Sequence, residues 1–126
     1  MKRIVITNNN RVFDRYMDRM DVMLLEEGSY LDVLNQAAEL IQKGARLLMH
    51  PLDGSKKPNQ TPYKSILLGM DEDESQIDEK SVKLIETSIR VVETGFGDKA
   101  KNGWKPKLQR ILENADLSIV EKIVGK

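Results

Sequence analysis

The chain has 126 residues but no cysteine and a single histidine. It can therefore form no disulfide, carry no thiolate nucleophile and build no zinc–thiolate site. One imidazole without cysteine also argues against a transition-metal site, so we expect neither a metal nor a cofactor. Basic and acidic side chains balance at 20 each, which removes the basic excess typical of proteins that bind nucleic acid.

Long apolar segments and targeting signals are missing too. No apolar run approaches the roughly 20 residues that a membrane-spanning helix needs. The opening MKRIVITNNN shows no small-residue cleavage site, so a signal peptide is not expected. These features predict a cytoplasmic protein without membrane contact. The length suits one domain, residues 1–126, with a core that needs no metal or disulfide.

Several nucleotide-binding and catalytic motifs are absent. The segment GSKK lacks the upstream glycine spacing of a phosphate-binding P-loop. The segment GFG at 95–97 neither follows a strand nor opens a clear helix, so it is no dinucleotide fingerprint. No G-x-S-x-G nucleophile elbow occurs. No motif of these kinds defines a reaction.

Short apolar runs alternate with helical stripes in the first fifty residues. The runs RIVIT, DVMLLE and ARLLMH predict three strands. Apolar spacing predicts a helix between the first two strands, capped by Asn9 or Asn10, and a second helix over 30–43. Ser29 and Asp32 form a predicted capping box at the start of that second helix. Gly44 is predicted to end it in the left-handed conformation.

This alternation predicts a single three-layer α/β domain with helices on both faces of its sheet. The proline-rich connection 51–62 does not suit a crossover helix, so the fourth strand, YKSILLG, is expected to return antiparallel at the edge. Right-handed crossovers then give a mainly parallel sheet in the order 2-1-3-4. A long helix is predicted through Val82 and Val92. A short helix is predicted after Pro106, ending near Asn114, and the tail that follows favours helix.

Polar segments follow all three predicted parallel strands, and such loops leave a sheet at one edge. The third segment belongs to HPLDGSKKPNQTPYK, which is long, stiffened by prolines and rich in lysine. The sequence therefore predicts a ligand- or partner-binding site at this edge. Its candidate residues are Asn8, Asn9, Ser29, His50, Ser55, Lys56, Asn59, Thr61 and Lys64.

The lysines of this loop suggest an anionic group, a carboxylate or a phosphate, as the ligand. The alternative, a solvated loop that prolines merely shape, has about equal weight. A lone histidine at a strand end is more often structural than catalytic, although its pKa suits proton transfer. The asparagines suit a turn and a helix cap better than a binding site. No catalytic residue is identified.

The segments IVITNNN, EGSYLDVL at 27–34 and HPLDGSKKPNQTPYKSI at 50–66 resemble the GrdX family. Members of this family are small proteins encoded beside the glycine, sarcosine and betaine reductases of anaerobes that ferment amino acids. The resemblance implies an accessory role for a selenoenzyme system and subunits of glycine reductase as candidate partners. It implies no known reaction and no catalytic residues.

Reductase chemistry of that kind depends on selenol and thiol groups, which this chain lacks. It therefore cannot act as a redox carrier or as an acyl-thioester carrier. Three classes of function remain, in order of preference. The first is an accessory protein that docks on a reductase subunit, and the second is a regulator that binds a small carboxylate or phosphate. The third is a small enzyme acting on such a ligand. The oligomeric state does not follow from the sequence.

Overall fold

The computed structural model describes residues 1–54, 57, 60–71, 76–96 and 104–125. Its strands and helices are β1 (Lys2–Thr7), α1 (Asn10–Tyr16), β2 (Asp21–Leu24), α2 (Tyr30–Gln42), β3 (Arg46–Leu47), β4 (Ser65–Met70), α3 (Glu79–Val91) and α4 (Pro106–Val124). A π-helical turn, Val92–Phe96, follows α3. None of the helices within these ranges is long and apolar enough to cross a bilayer.

The four strands form one mixed sheet in the order β2-β1-β4-β3. Among the strand pairs that the structure describes, only β1 and β2 run parallel. β4 runs antiparallel to both of its neighbours, β1 and β3. The antiparallel direction predicted for the fourth strand is therefore confirmed. The predicted three-layer domain with a mainly parallel sheet in the order 2-1-3-4 is not confirmed. β4 lies in the centre of the sheet and β3 lies at its edge.

The burial and length of the two strands explain why β4 is central and β3 lies at the edge. The first five residues of β4, Ser65–Gly69, are all buried, as expected for a strand that has neighbours on both sides and cover on both faces. β3 has only two residues, and Arg46 is exposed. A long connection such as 48–64 gives the chain room to carry β4 past β3 and pair it with β1. β4 therefore still pairs with β3, but it lies between β3 and β1 and not outside β3.

The helices follow the sequence closely where local signals exist. α2 begins after Ser29, whose hydroxyl accepts from the Asp32 N–H while the Asp32 carboxylate accepts from the Ser29 N–H, so the predicted capping box is confirmed. Gly44 has a φ of 110°, which confirms the predicted left-handed stop. The short helix predicted to end near Asn114 is wrong. α4 continues to Val124, and the helical tendency predicted for the tail is confirmed.

The core divides into two clusters because successive side chains of a strand point to opposite faces of the sheet. In β1, Ile4 and Ile6 pack in one cluster and Val5 packs in the other. The first cluster joins the sheet to α2 and α3, and the second joins it to α1 and α4. The fully buried members with the largest side chains include Ile6, Leu34, Ile41, Ile66, Leu68 and Ile85 in the first cluster and Tyr16 in the second.

Candidate functional site

The side chain of Asn8 joins three segments at the end of β1. Its amide nitrogen donates to the main-chain oxygens of Gly28, at 3.1 Å, and Pro62, at 2.8 Å. Its amide oxygen accepts from the N–H of Lys64 at 2.9 Å. Asn8 is 1% exposed, so these bonds lie out of reach of bulk water. The polar segments that follow β1 and β2 therefore meet the end of the long loop, as the sequence predicted.

The neighbouring Asn9 joins α1 to α4. Its side-chain oxygen accepts from the N–H of Arg11 at 3.0 Å, which makes Asn9 the N-cap of α1. Its amide nitrogen donates to the main-chain oxygen of Glu113 at 2.9 Å and to Asp116 Oδ2 at 3.0 Å. One buried amide thus satisfies a helix start and holds a helix more than one hundred residues further along the chain.

Asp116 accepts from a chain of hydroxyl groups that lies where β1 ends and β4 begins. The Ser65 hydroxyl donates to Asp116 Oδ2 at 2.7 Å, and the hydroxyl oxygens of Ser65 and Thr7 are 2.6 Å apart. Because the Ser65 proton is committed to Asp116, the Thr7 hydroxyl donates to Ser65. The Thr7 oxygen in turn accepts from the N–H of Asn9 at 3.0 Å. All of these donors point along one path to the carboxylate.

Two opposing effects act on the pKa of Asp116. Removal from water raises this pKa above its usual range, because a charged carboxylate loses hydration. The hydrogen bonds from Asn9 and Ser65, followed by the positive charge of Lys64, act in the opposite direction. Burial is the larger effect, so the carboxyl group holds its proton to a higher pH than an exposed aspartate.

Lys64 is the buried cation of the site. It is 3% exposed, and its Nζ donates to the main-chain oxygen of Asp53 at 2.9 Å and lies 5.6 Å from the centre of the Tyr30 ring. Burial lowers the pKa of Lys64 to about 8, although the charges of Asp116 and Asp53 act to raise it. Within the described ranges, Lys64 forms no ion pair with Asp116 at 4.0 Å or less.

A small cavity separates these two groups. Its volume is about 20 Å³, enough for about one water molecule. Its lining combines polar and apolar side chains from the long loop and two helices: Tyr30, Asp53, Gly54, Thr61, Tyr63, Lys64, Leu112, Ala115, Asp116 and Ile119. Burial raises the pKa of both tyrosines, so their hydroxyl groups stay protonated through the neutral range. The arrangement suits a buried water held by polar groups better than an organic ligand.

The structure brings together only some of the residues predicted to form the site. Asn8, Asn9 and Lys64 share the network at the end of β1, and Thr61 lines the cavity beside Lys64. Thr61 also accepts from the N–H of Tyr63 at 3.1 Å, which shapes the turn before β4. Lys64 is not the exposed loop cation that the sequence suggested, because its ammonium group is enclosed.

The other predicted site residues lie elsewhere. Ser29 is occupied by the capping box of α2. His50 is exposed, and its Nδ1 accepts from the N–H of Leu52 at 3.0 Å, which is the structural role favoured for a lone histidine. Ser55, Lys56 and Asn59 lie outside the described residues. A ligand-binding role for any of the nine residues stays a prediction.

Asp116 and Ser65 are central to the site but were not identified from the sequence. A signal for Asp116 was present, because the sequence places it on the apolar stripe of α4 with Leu112, Ala115 and Ile119. A single charge within such a stripe points toward the interior and needs polar partners there. Ser65 offered no such signal, since a serine at the start of a strand is common.

The arginines of α1 provide further contacts to α4. Arg11 Nε lies 3.7 Å from Glu113 Oε1, and an Arg15 nitrogen lies 3.3 Å from Glu121 Oε2. Both ion pairs therefore connect α1 to α4 and not to another residue of α1. Ion pairs near the surface such as these contribute little to stability.

Across the described ranges, no three potential metal-ligating side chains come together.

Comparison with known proteins identifies the family. No curated protein and no solved structure is significantly similar to the chain. The model of one family, the GrdX-like proteins, matches residues 4–125, and the chain belongs to that family.

Proposed function

We propose that this chain is a non-redox accessory protein of the glycine reductase system that acts by docking on a reductase subunit. Family membership supports the setting, since the GrdX-like model covers nearly the whole chain. The composition supports the non-redox part, because a chain without cysteine has no thiol to oxidise or acylate.

The hydrogen bonding at the end of β1 is the observation that carries the docking role. Asn8, Asn9 and Ser65 spend their side-chain hydrogen bonds on other parts of the same chain. The cavity beside them has space for about one water molecule. Pockets for organic ligands are typically more than ten times larger, at roughly 300–1,000 Å³. A site of this kind holds the fold together and leaves recognition to the outer surface.

Affinity capture tests this role. The tagged chain, expressed in an anaerobe grown on glycine, is expected to retain a glycine reductase subunit, and the purified subunit is expected to bind it in a direct titration. Replacing the cationic loop residues Lys56 and Lys57 by glutamate tests whether that loop contributes. The matched control replaces Lys80 and Lys83, two exposed lysines of α3, by glutamate. Failure of every purified subunit to bind the wild-type chain would refute the docking role.

A second candidate is a regulator that binds a small carboxylate or phosphate at Lys64. The observation that favours it is a buried ammonium group that donates its hydrogen bond to the main-chain oxygen of Asp53 and not to a carboxylate. Calorimetric titration with glycine, acetate and inorganic phosphate tests this candidate. Binding by the wild type that is lost in Lys64→Met would support it, and absence of heat with all three compounds would rule it out for these ligands.

A further inference from the structure

The outward main-chain groups of the two edge strands, β3 and β2, differ in their hydrogen bonding. At the β3 edge, the N–H of Leu47 points away from β4, because the next residue, Leu48, donates to the Leu67 oxygen. That outward N–H donates to the Ser81 hydroxyl at 2.9 Å, and Ser81 donates to Asp78 Oδ2 at 2.6 Å. A side chain of α3 therefore caps this edge, which has only two strand residues. Such protection is a common defence against pairing with another chain.

Among the described residues, none caps the β2 edge in this way. Leu25 donates its N–H to the Thr7 oxygen of β1, and main-chain groups alternate in direction along a strand. The N–H and C=O of Met23 therefore face β1, whereas those of Val22 and Leu24 face away from the sheet. In the part of the chain that the structure describes, no other residue forms a hydrogen bond with these outward groups. All four residues of β2 are exposed or half-buried.

We propose that β2 pairs antiparallel with β2 of a second copy of this chain, which extends the sheet across a two-fold axis at Met23. In this register each Val22 faces Leu24 of the other copy, and such a pair exchanges both of its main-chain hydrogen bonds. The two Met23 residues then face each other on the axis. Every outward main-chain group of the strand then gains a partner. The strand is therefore self-complementary, as a two-fold interface between identical chains requires.

The charges along the strand are compatible with a second copy. Asp21 is the only charged residue of β2, and the register sets it opposite Leu25 of the other copy, so the two aspartates do not meet. Beyond the strand, the register brings Glu26 and Glu27 toward the turn of the other copy that carries both Asp18 and Arg19. With one short strand from each copy, the contact is expected to be weak and dependent on protein concentration.

The absence of cysteine makes the register directly testable by cross-linking. Antiparallel residues that face each other without hydrogen bonds have Cα atoms about 4.5 Å apart, within the range of about 4.4–6.8 Å that a disulfide spans. Met23→Cys is therefore expected to give a disulfide-linked dimer under mild oxidation. Lys83→Cys, on exposed α3, is the matched control and is expected to stay largely monomeric. Equal yields of dimer from the two variants would overturn the proposed register.

Sedimentation of the full chain over a wide concentration range tests the association itself. The wild type is expected to shift from the mass of a monomer to twice that mass. Leu24→Pro removes an outward N–H, and the Leu24 side chain belongs to neither core cluster, so this variant is expected to fold and remain monomeric. Leu25→Pro, which removes the inward N–H that bonds to Thr7, is expected to destabilise the fold instead.

Two results of the sedimentation experiment would overturn the proposed pairing of β2. A wild type that stays monomeric at every concentration overturns the proposal, and so does a Leu24→Pro variant that melts cooperatively and still dimerises. If Leu24→Pro fails to fold, the cross-linking comparison decides on its own. None of these results depends on binding to a reductase subunit, so this inference can fail while the proposed docking role stands.

Discussion

The hydroxyl of Ser65 donates a 2.7 Å hydrogen bond to Asp116 Oδ2 and thereby ties the first residue of β4 to the middle of α4. Asn9 adds a second donor to the same oxygen. Two donors on one oxygen compensate part of the hydration that Asp116 loses on folding. The position of α4 on the sheet therefore depends on a polar contact as well as on the buried side chains Leu112 and Val120.

Removing the Ser65 hydroxyl should leave Asp116 under-solvated. Ser65→Ala is expected to lower the free energy of unfolding by about 1–3 kcal/mol, the usual cost of a buried polar group that loses a partner. It should also raise the pKa of Asp116 further, since that hydrogen bond favours the charged form. Chemical denaturation measures the first effect. The control is Ser118→Ala, an exposed serine of α4, which should change little.

Asn8 should be among the most sensitive polar positions. Asn8→Ala removes three hydrogen bonds and leaves the N–H of Lys64 and the oxygens of Gly28 and Pro62 without that partner. We expect a loss of roughly 2–4 kcal/mol in the free energy of unfolding. Asn35→Ala, at an exposed position of α2, serves as the matched control. A loss no larger than the control's would show that water replaces the asparagine in the network.

Lys64 should make the stability rise with pH in mildly alkaline solution. Its pKa is about 8 in the folded chain, against 10.5 for an ordinary lysine. Between these values the unfolded chain binds more protons, so the free energy of unfolding increases with pH. The full difference in pKa corresponds to roughly 3 kcal/mol. Below pH 8 the folded state carries the whole cost of a buried charge.

Denaturation curves at a series of pH values between 7 and 10 measure this rise. The upper limit matters because burial raises the pKa of Tyr30 and Tyr63 above 10.0, so the unfolded chain loses those protons first and stability falls at higher pH. Lys64→Met should remove most of the rise, whereas Lys80→Met, at an exposed position, should retain it. A flat profile for the wild type would show that Lys64 has an ordinary pKa.

Asp116 and Lys64 should titrate as linked groups although they form no direct ion pair. The charge of Asp116 raises the pKa of Lys64, so Asp116→Asn should lower the Lys64 pKa below about 8. The amide oxygen of asparagine can still accept from Asn9 and Ser65, which keeps α4 in place. Side-chain NMR of Lys64 measures the change. Asp21→Asn, at the start of the edge strand β2, is the control. An equal effect from both variants would contradict the linkage.

Local sequence signals predicted the bounds of helices well. They did not predict contacts between residues far apart in the sequence. Ser29, Asp32 and Gly44 act within a few residues of their own positions, so the bounds of α2 could be predicted from their chemistry. The place of β4 could not be, because a long loop permits several pairings and only the packing of the whole core selects one. Asp116 was missed for the same reason, since its partners Asn9 and Ser65 are 107 and 51 residues away.

The start of α2 offers a test in which two adjacent residues should fail for different reasons. Ser29→Ala removes one half of the capping box and should cost about 1 kcal/mol in the free energy of unfolding. Gly28→Ala should cost more, because an added Cβ would lie 2.8 Å from the Leu25 Cβ and 3.1 Å from the Leu25 oxygen. That oxygen accepts from the N–H of Gly28 at 2.8 Å, so the turn cannot open without losing the bond.

Thermal and chemical denaturation of both variants measure the two effects. Ser29→Asp should recover most of the stability lost in Ser29→Ala, because aspartate is an equally good N-cap. No substitution at Gly28 should recover its loss, since every other residue carries the same Cβ. If Gly28→Ala proves as stable as the wild type, the contact with Leu25 relaxes easily, and the glycine serves no steric purpose at this turn.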